Sequence, residues 1–101
     1  MTDVVAEFGR RLDIPVAKKL ALDDDFIVLL DYYEASKAHQ YGNLFRISAD
    51  GALVWTISLA ANDMVTNVEW RAGNLIAWTW GSSMITIDKS NGTGLDSVFT
   101  K

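Results

Sequence analysis

One strand-and-turn pattern occurs twice in this chain and constrains its fold more than any other feature. It runs from Asn43 to Trp55 as Asn-Leu-Phe-Arg-Ile-Ser-Ala-Asp-Gly-Ala-Leu-Val-Trp. It returns less closely from Ser83 to Leu95 as Ser-Met-Ile-Thr-Ile-Asp-Lys-Ser-Asn-Gly-Thr-Gly-Leu. Each time an alternating apolar strand meets Asp50-Gly51 or Asn91-Gly92, residues that tolerate positive φ and let the chain reverse. A second apolar strand follows. This is β-hairpin chemistry, and it predicts an all-β fold.

The same reading extends along most of the chain. Strands are expected over Val16–Leu22 and Phe26–Tyr32, separated by Asp23-Asp24-Asp25, and over Leu44–Ser48 and Leu53–Ser58. Leu59–Met64 reads as a connection. Val65–Arg71 and Leu75–Trp80 form a second hairpin around Gly73-Asn74, and Ser82–Asp88 and Leu95–Thr100 a third. The total is an antiparallel meander of seven or eight strands. Residues 1–14 fit a short helix, with Val4, Phe8 and Leu12 on one stripe, or a strand from Phe8 to Ile14, since Gly9 weakens a helix. Residues 33–42, which hold the single histidine, read as the longest loop. At 101 residues the chain is expected to form one domain around one core.

Asp-Gly or Thr-Gly turns between an aliphatic strand and one ending in Trp or Phe resemble the blade repeats of propellers of the pyrroloquinoline-quinone dehydrogenase type. Asn74-Leu-Ile-Ala-Trp-Thr-Trp-Gly81, then Ile87-Asp88, Thr93-Gly94 and Val98-Phe-Thr-Lys101, resembles a group of short bacterial proteins of unknown function. The resemblance covers about residues 15–101 and implies a fold of two blade-like sheets, not an activity. A propeller typically needs four to eight blades. Strands enough for two must instead pack as a sandwich or a curled sheet, or pair their edges between subunits. A homodimer is the expected assembly, with a monomer as the alternative.

Composition narrows the function classes. Thirteen acidic against nine basic residues give a net charge of -4, and the basic residues are scattered apart from Arg10-Arg11 and Lys18-Lys19. Nucleic-acid binding needs a concentrated positive surface and is not expected. With no cysteine and one histidine the chain lacks the usual ligands of a zinc site, and no metal or cofactor is expected. Asp23-Asp24-Asp25 lacks the alternating spacing and closing Glu of a calcium loop. No apolar run reaches the length of about 20 residues that spans a bilayer. No basic segment with a long apolar run opens the chain, so the cytoplasm is the expected location.

Catalytic patterns are equally sparse. His39 is the one histidine available as a base, and Gly81-Ser82-Ser83-Met84 lacks the second glycine of a nucleophile elbow. Gly92-Thr93-Gly94 is followed by a strand and no lysine, unlike a phosphate-binding loop. An enzymatic role is left open, with the weight against it.

One surface stands out. In the hairpin Val65–Trp80, a turn on Ala72-Gly73 puts Glu69 opposite Ile76, and a turn on Gly73-Asn74 puts it opposite Trp78. Both registers sort the side chains alike. Val68, Trp70, Leu75 and Ala77 form a core face, while Asn67, Glu69, Arg71, Ile76, Trp78 and Trp80 share the other. Indoles beside an amide, a carboxylate and a guanidinium suit a partly wet interface. Tyr32, Tyr33, His39 and Tyr41, in and beside the long loop, add a second aromatic rim. The reading is a non-enzymatic interaction module that binds its own copy or a protein partner, an immunity or regulatory protein being one form. A small-ligand or carbohydrate binder stacking on Trp78 and Trp80 is the alternative, and a small hydrolase using Glu69 is third.

Overall fold

The structure, a computed structural model, describes residues 3–59 and 63–99. It opens with helix α1 (Val4–Leu12), so the N-terminal ambiguity resolves as a helix. Asp3 caps it, its carboxylate accepting from the amides of Val5 at 3.1 Å and Ala6 at 3.2 Å. Asp13, with φ 57°, ends it in the left-handed region, and the Ile14 amide returns to the Gly9 carbonyl at 3.1 Å. Gly9 is needed for contact. A Cβ there would lie 2.8 Å from Val16 Cγ2, so only glycine lets α1 approach the following strand so closely.

Eight strands follow: β1 (Val16–Leu22), β2 (Asp25–Leu30), β3 (Leu44–Ile47), β4 (Leu53–Thr56), β5 (Val65–Arg71), β6 (Asn74–Thr79), β7 (Ser83–Ile87) and β8 (Gly94–Phe99). They form two antiparallel four-stranded sheets, β1-β2-β3-β4 and β5-β6-β7-β8, each joined in sequence order. The sheets meet in a sandwich-like contact through a shared apolar core. Ile27, Leu29, Leu44, Trp55 and Ile57 come from the first half, and Val65, Val68, Leu75, Ala77 and Ile87 from the second.

The first sheet has a second buried face. There Val28, Leu30, Phe45 and Ile47 pack against Val5 and Phe8 of α1, with Ile14 and Met64. The Phe8 and Phe45 rings meet edge-on at 5.0 Å. This explains why Ile27-Val28-Leu29-Leu30 is a continuous apolar run, for alternate residues of β2 serve different cores and all four are buried.

Among the polar contacts that tie the sheets together, two lie at the ends of the second sheet's hairpins. At one, the fully buried Asn43 side chain donates to the carbonyls of Leu30 at 3.0 Å and Val65 at 2.8 Å, and accepts from the Val65 amide at 2.9 Å. At the other, the Lys89 carbonyl accepts from Trp55 Nε1 and from Arg46 Nη1, each at 2.8 Å. Arg46 also pairs with Asp25 at 2.9 Å. Gly92 of the β7–β8 turn lies against Trp55, where an added Cβ would sit 2.6 Å from the ring.

Two expectations need correction. The sheets are not closed or curled into propeller blades: they are two open four-stranded meanders in contact, so the propeller-blade-like resemblance does not hold. Its motifs were hairpin turns, which specify a local reversal and say nothing of how one sheet packs on the next. Residues 33–42 are also not simply a loop. They contain most of helix α2 (Tyr32–Lys37), capped by Asp31, which accepts from the Glu34 amide at 2.9 Å. Part of the expected Leu59–Met64 connection and the last residue of the expected Leu95–Thr100 strand lie outside the described residues.

The Asn43 contact generates a stability prediction. Asn43→Ala strands the amide and carbonyl of Val65 in the interior, and urea unfolding should show a loss of about 3 kcal/mol. A second prediction concerns pH. The Ala6 amide, with the Lys19 charge and the Val5 amide, holds the Asp3 carboxyl below its ordinary 3.8. A depressed carboxyl contributes stability above its unfolded pKa and loses it as pH falls through the folded value. Chemical shifts of α1 should therefore report fraying below about pH 4, and Asp3→Asn, which keeps an acceptor but does not titrate, should remove that dependence.

Candidate functional site: the outer face of the second sheet

The β5–β6 hairpin positions most of the predicted site residues. Arg71 pairs with Asn74 across a two-residue turn in which Ala72 (φ 51°) and Gly73 (φ 81°) both have positive φ. Such a turn matches the twist of the flanking strands. Of the two registers weighed, this is the one with Glu69 opposite Ile76, Asn67 opposite Trp78 and Val68 opposite Ala77. A bulge between Val65 and Asn67 lies at the start of β5 and leaves the pairing from Asn67 onward regular. It also lets Val65 and Val68, three residues apart, both enter the core.

Strand β7 extends the face, with β8 beyond it. Met84 pairs with Trp78 and Thr86 with Ile76, and side chains of paired residues point the same way. The surface is an apolar strip of Ile76, Trp78 and Met84, bordered by Asn67, Glu69 and Arg71 on β5 and by Thr86 on β7. Ile76 is buried under its neighbours, while Trp78 and Met84 are half-buried. Trp70, on the opposite face, packs against the core and donates its indole N–H to the Ala21 carbonyl at 3.0 Å.

Charge on the β5–β6 part of this face is locally balanced. Arg71 Nη2 lies 3.0 Å from Glu69 Oε1, and the Arg71 guanidinium carbon lies 5.1 Å from the Trp78 ring centre. The side chains are 58% and 38% exposed, so within one chain the ion pair contributes at most about 1 kcal/mol. Lys18 Nζ donates to Asn67 Oδ1 at 3.2 Å, linking the first sheet to the rim. Trp80 sits one residue beyond the end of β6 with its amide bonded to the Met64 carbonyl at 2.8 Å, and it is 70% exposed.

Tyr33, His39 and Tyr41 occupy a different part of the molecule. Tyr33 is exposed on α2, with Lys37 Nζ 5.1 Å from its ring centre. His39, at φ 58°, follows the helix and places Nδ1 3.4 Å from the Tyr41 hydroxyl. Tyr41 packs against the core under α1. Tyr33 belongs to α2, and His39 and Tyr41 to the connection from α2 to β3 of the first sheet, while Trp78 belongs to the second.

Met84 and Thr86 were missed by the sequence reading, which treated one hairpin alone. The signal was present in Gly81-Ser82, where Ser82 (φ 69°) helps reverse the chain and brings β7 beside β6. Helix α2 also had a signal, for Asp31-Tyr-Tyr-Glu34 has the spacing of an N-terminal capping box.

Elsewhere, carboxylates serve the backbone. Asp63 accepts from the amides of Met64 at 2.9 Å and Gly81 at 3.0 Å, and Asp88 accepts from Ser90 at 2.8 Å. Asp50 accepts from the Ser48 hydroxyl and the Ala52 amide, and these bonds, the first foremost, hold its carboxyl below the ordinary value. No group of three or more His, Cys, Asp or Glu side chains gathers to hold a metal ion among the described residues, and no helix there is long and apolar enough to cross a membrane. An open groove of about 630 Å³ lies along the end of α1, lined by Gly9, Arg10, Asp13, Ile14 and Glu34 among others, away from Trp78.

Comparison with solved structures finds similarity to the computationally designed protein Ika8, in its crystal structure of packing No. 1 in P63. The TM-score is 0.61 at 9% identity, over 85% of this chain and 24% of that one. The chain thus spans about a quarter of the designed chain's length, and the likeness concerns the fold alone. A search among curated proteins finds no match. A family model described as "Domain of unknown function (DUF7957)" matches residues 8–99, nearly the whole chain, and the chain belongs to that family.

Proposed function

We propose that this chain is a protein-interaction domain that associates with a second copy of itself through the outer face of the second sheet. One observation carries the reading. The first sheet is covered on both faces, by α1 and by the second sheet, whereas on the outer face of the second sheet Trp78 and Met84 stay half-buried with no covering element among the described residues. An aromatic with an adjacent arginine and a polar rim is the composition of an interface core and its border.

The occupant follows from charge. Glu69 and Arg71 put one charge of each sign on the same patch, so the patch is complementary to itself, as a two-fold interface requires. A purely acidic or basic face would call for a different partner. Its size sets the class of interface. Strands about 4.8 Å apart and about 20 Å long give a face of roughly 20 by 20 Å, so two copies bury on the order of 1,000 Å² in total. That is the lower end for a specific interface, the size class of weak or transient association.

Light scattering across a concentration series should show the mass rising from 11.2 kDa toward twice that value. Met84→Lys, which sets a charge in the apolar strip, should hold the chain monomeric while changing the unfolding midpoint by only about 5 °C or less. A wild-type chain that stays monomeric up to about 1 mM would rule the reading out.

A further inference from the structure

We infer that Glu69 and Arg71 determine the specificity of this self-association by forming an alternating ring of four charges across the two-fold axis; the inference rests on the self-association proposed above. The two residues are two apart on β5, so both project from the same face about 7 Å from each other along the strand. Consider a two-fold axis that lies in the interface and crosses β5 at Trp70 at right angles to the strand. It sets Glu69 of each copy over Arg71 of the other. One symmetry operation therefore makes two new ion pairs, and the existing pair at 3.0 Å within each chain closes the ring. Arginine has enough donors to serve both carboxylates at once.

The same axis disposes of the indole. Trp78 is level with Asn67, three residues from the axis, so it meets the Ala72-Gly73 turn of the second copy. That turn is open, since a Cβ at Gly73 would touch nothing within 4 Å. An axis running along β5 would instead stack Glu69 on Glu69 and Arg71 on Arg71, a like-charge juxtaposition that disfavours that arrangement. Two chains of net charge -4 repel one another, and the exchanged pairs offset that repulsion at close range.

Charge reversal tests the ring. Glu69→Arg gives each copy two positive charges at the site and Arg71→Glu gives two negative, so each variant alone should dimerise at least about tenfold more weakly than wild type. Mixed in equal amounts, the two should form a heterodimer within about threefold of wild-type affinity, read by sedimentation with one variant fluorescently labelled. Should a reversal fail to fold by circular dichroism, the neutral Glu69→Gln is read instead, with a weakening of about tenfold expected. If wild type dimerises but the single variants match it, or the mixture fails to recover, the charge ring is overturned while self-association stands. If wild type does not dimerise, both fall.

Discussion

The Asn43 side chain behaves as a piece of β-strand. Its amide offers a donor and an acceptor in the same relation as a backbone peptide group, and it satisfies both polar atoms of Val65, a residue with no surface exposed. The same amide reaches the Leu30 carbonyl, while the Asn43 carbonyl accepts from the Leu30 amide at 2.9 Å. The end of β2, the approach to β3 and the beginning of β5 are thereby held at one point. Buried backbone groups must find partners, and here one side chain supplies them where two sheets meet without a shared ladder.

Another tie joins the sheets at the far turn. Trp55 and Arg46 face each other across β3 and β4, and both donate to the carbonyl of Lys89 in the β7–β8 turn. With Asn43 holding the start of β5 and Lys89 holding the far turn, the second sheet has little freedom to rotate on the first. This decides which face of β5–β8 is core. Val68, Leu75, Ala77 and Ile87 turn inward, and the strip around Trp78 is left facing outward. The candidate site is thus a consequence of sheet packing.

Several features could be read directly from residue order. Alternation in β5 and β6, with Ala72-Gly73-Asn74 between them, determined the two faces of the hairpin because opposed residues share a side whichever turn is chosen. An expectation of seven or eight strands followed from apolar runs separated by Asp23-Asp24-Asp25, Asp-Gly, Asn-Gly and Gly-Asn. Helix α2 was obscured because six residues carry too little periodicity, and its sole mark was the Asp31 to Glu34 spacing. The propeller likeness misled for a related reason: Asp-Gly and Thr-Gly turns serve any meander, whereas sheet packing rests on contacts such as those of Asn43 and Trp55, whose partners lie 22 and 34 residues away. Met84 and Thr86 escaped because only the β6–β7 pairing sets them beside Trp78 and Ile76.

The sequence by itself determined the strands, their reversals and the sorting of side chains into two faces, because these depend on local backbone preference and a period of two. Only the tertiary structure decided which faces are covered, because that depends on contacts between residues far apart in the chain. Nothing near Asn43 in the sequence announces Val65, and nothing near Trp55 announces Lys89. Together these contacts cover the first sheet twice and the second sheet once, and so place Glu69, Arg71 and Trp78 on an outward face.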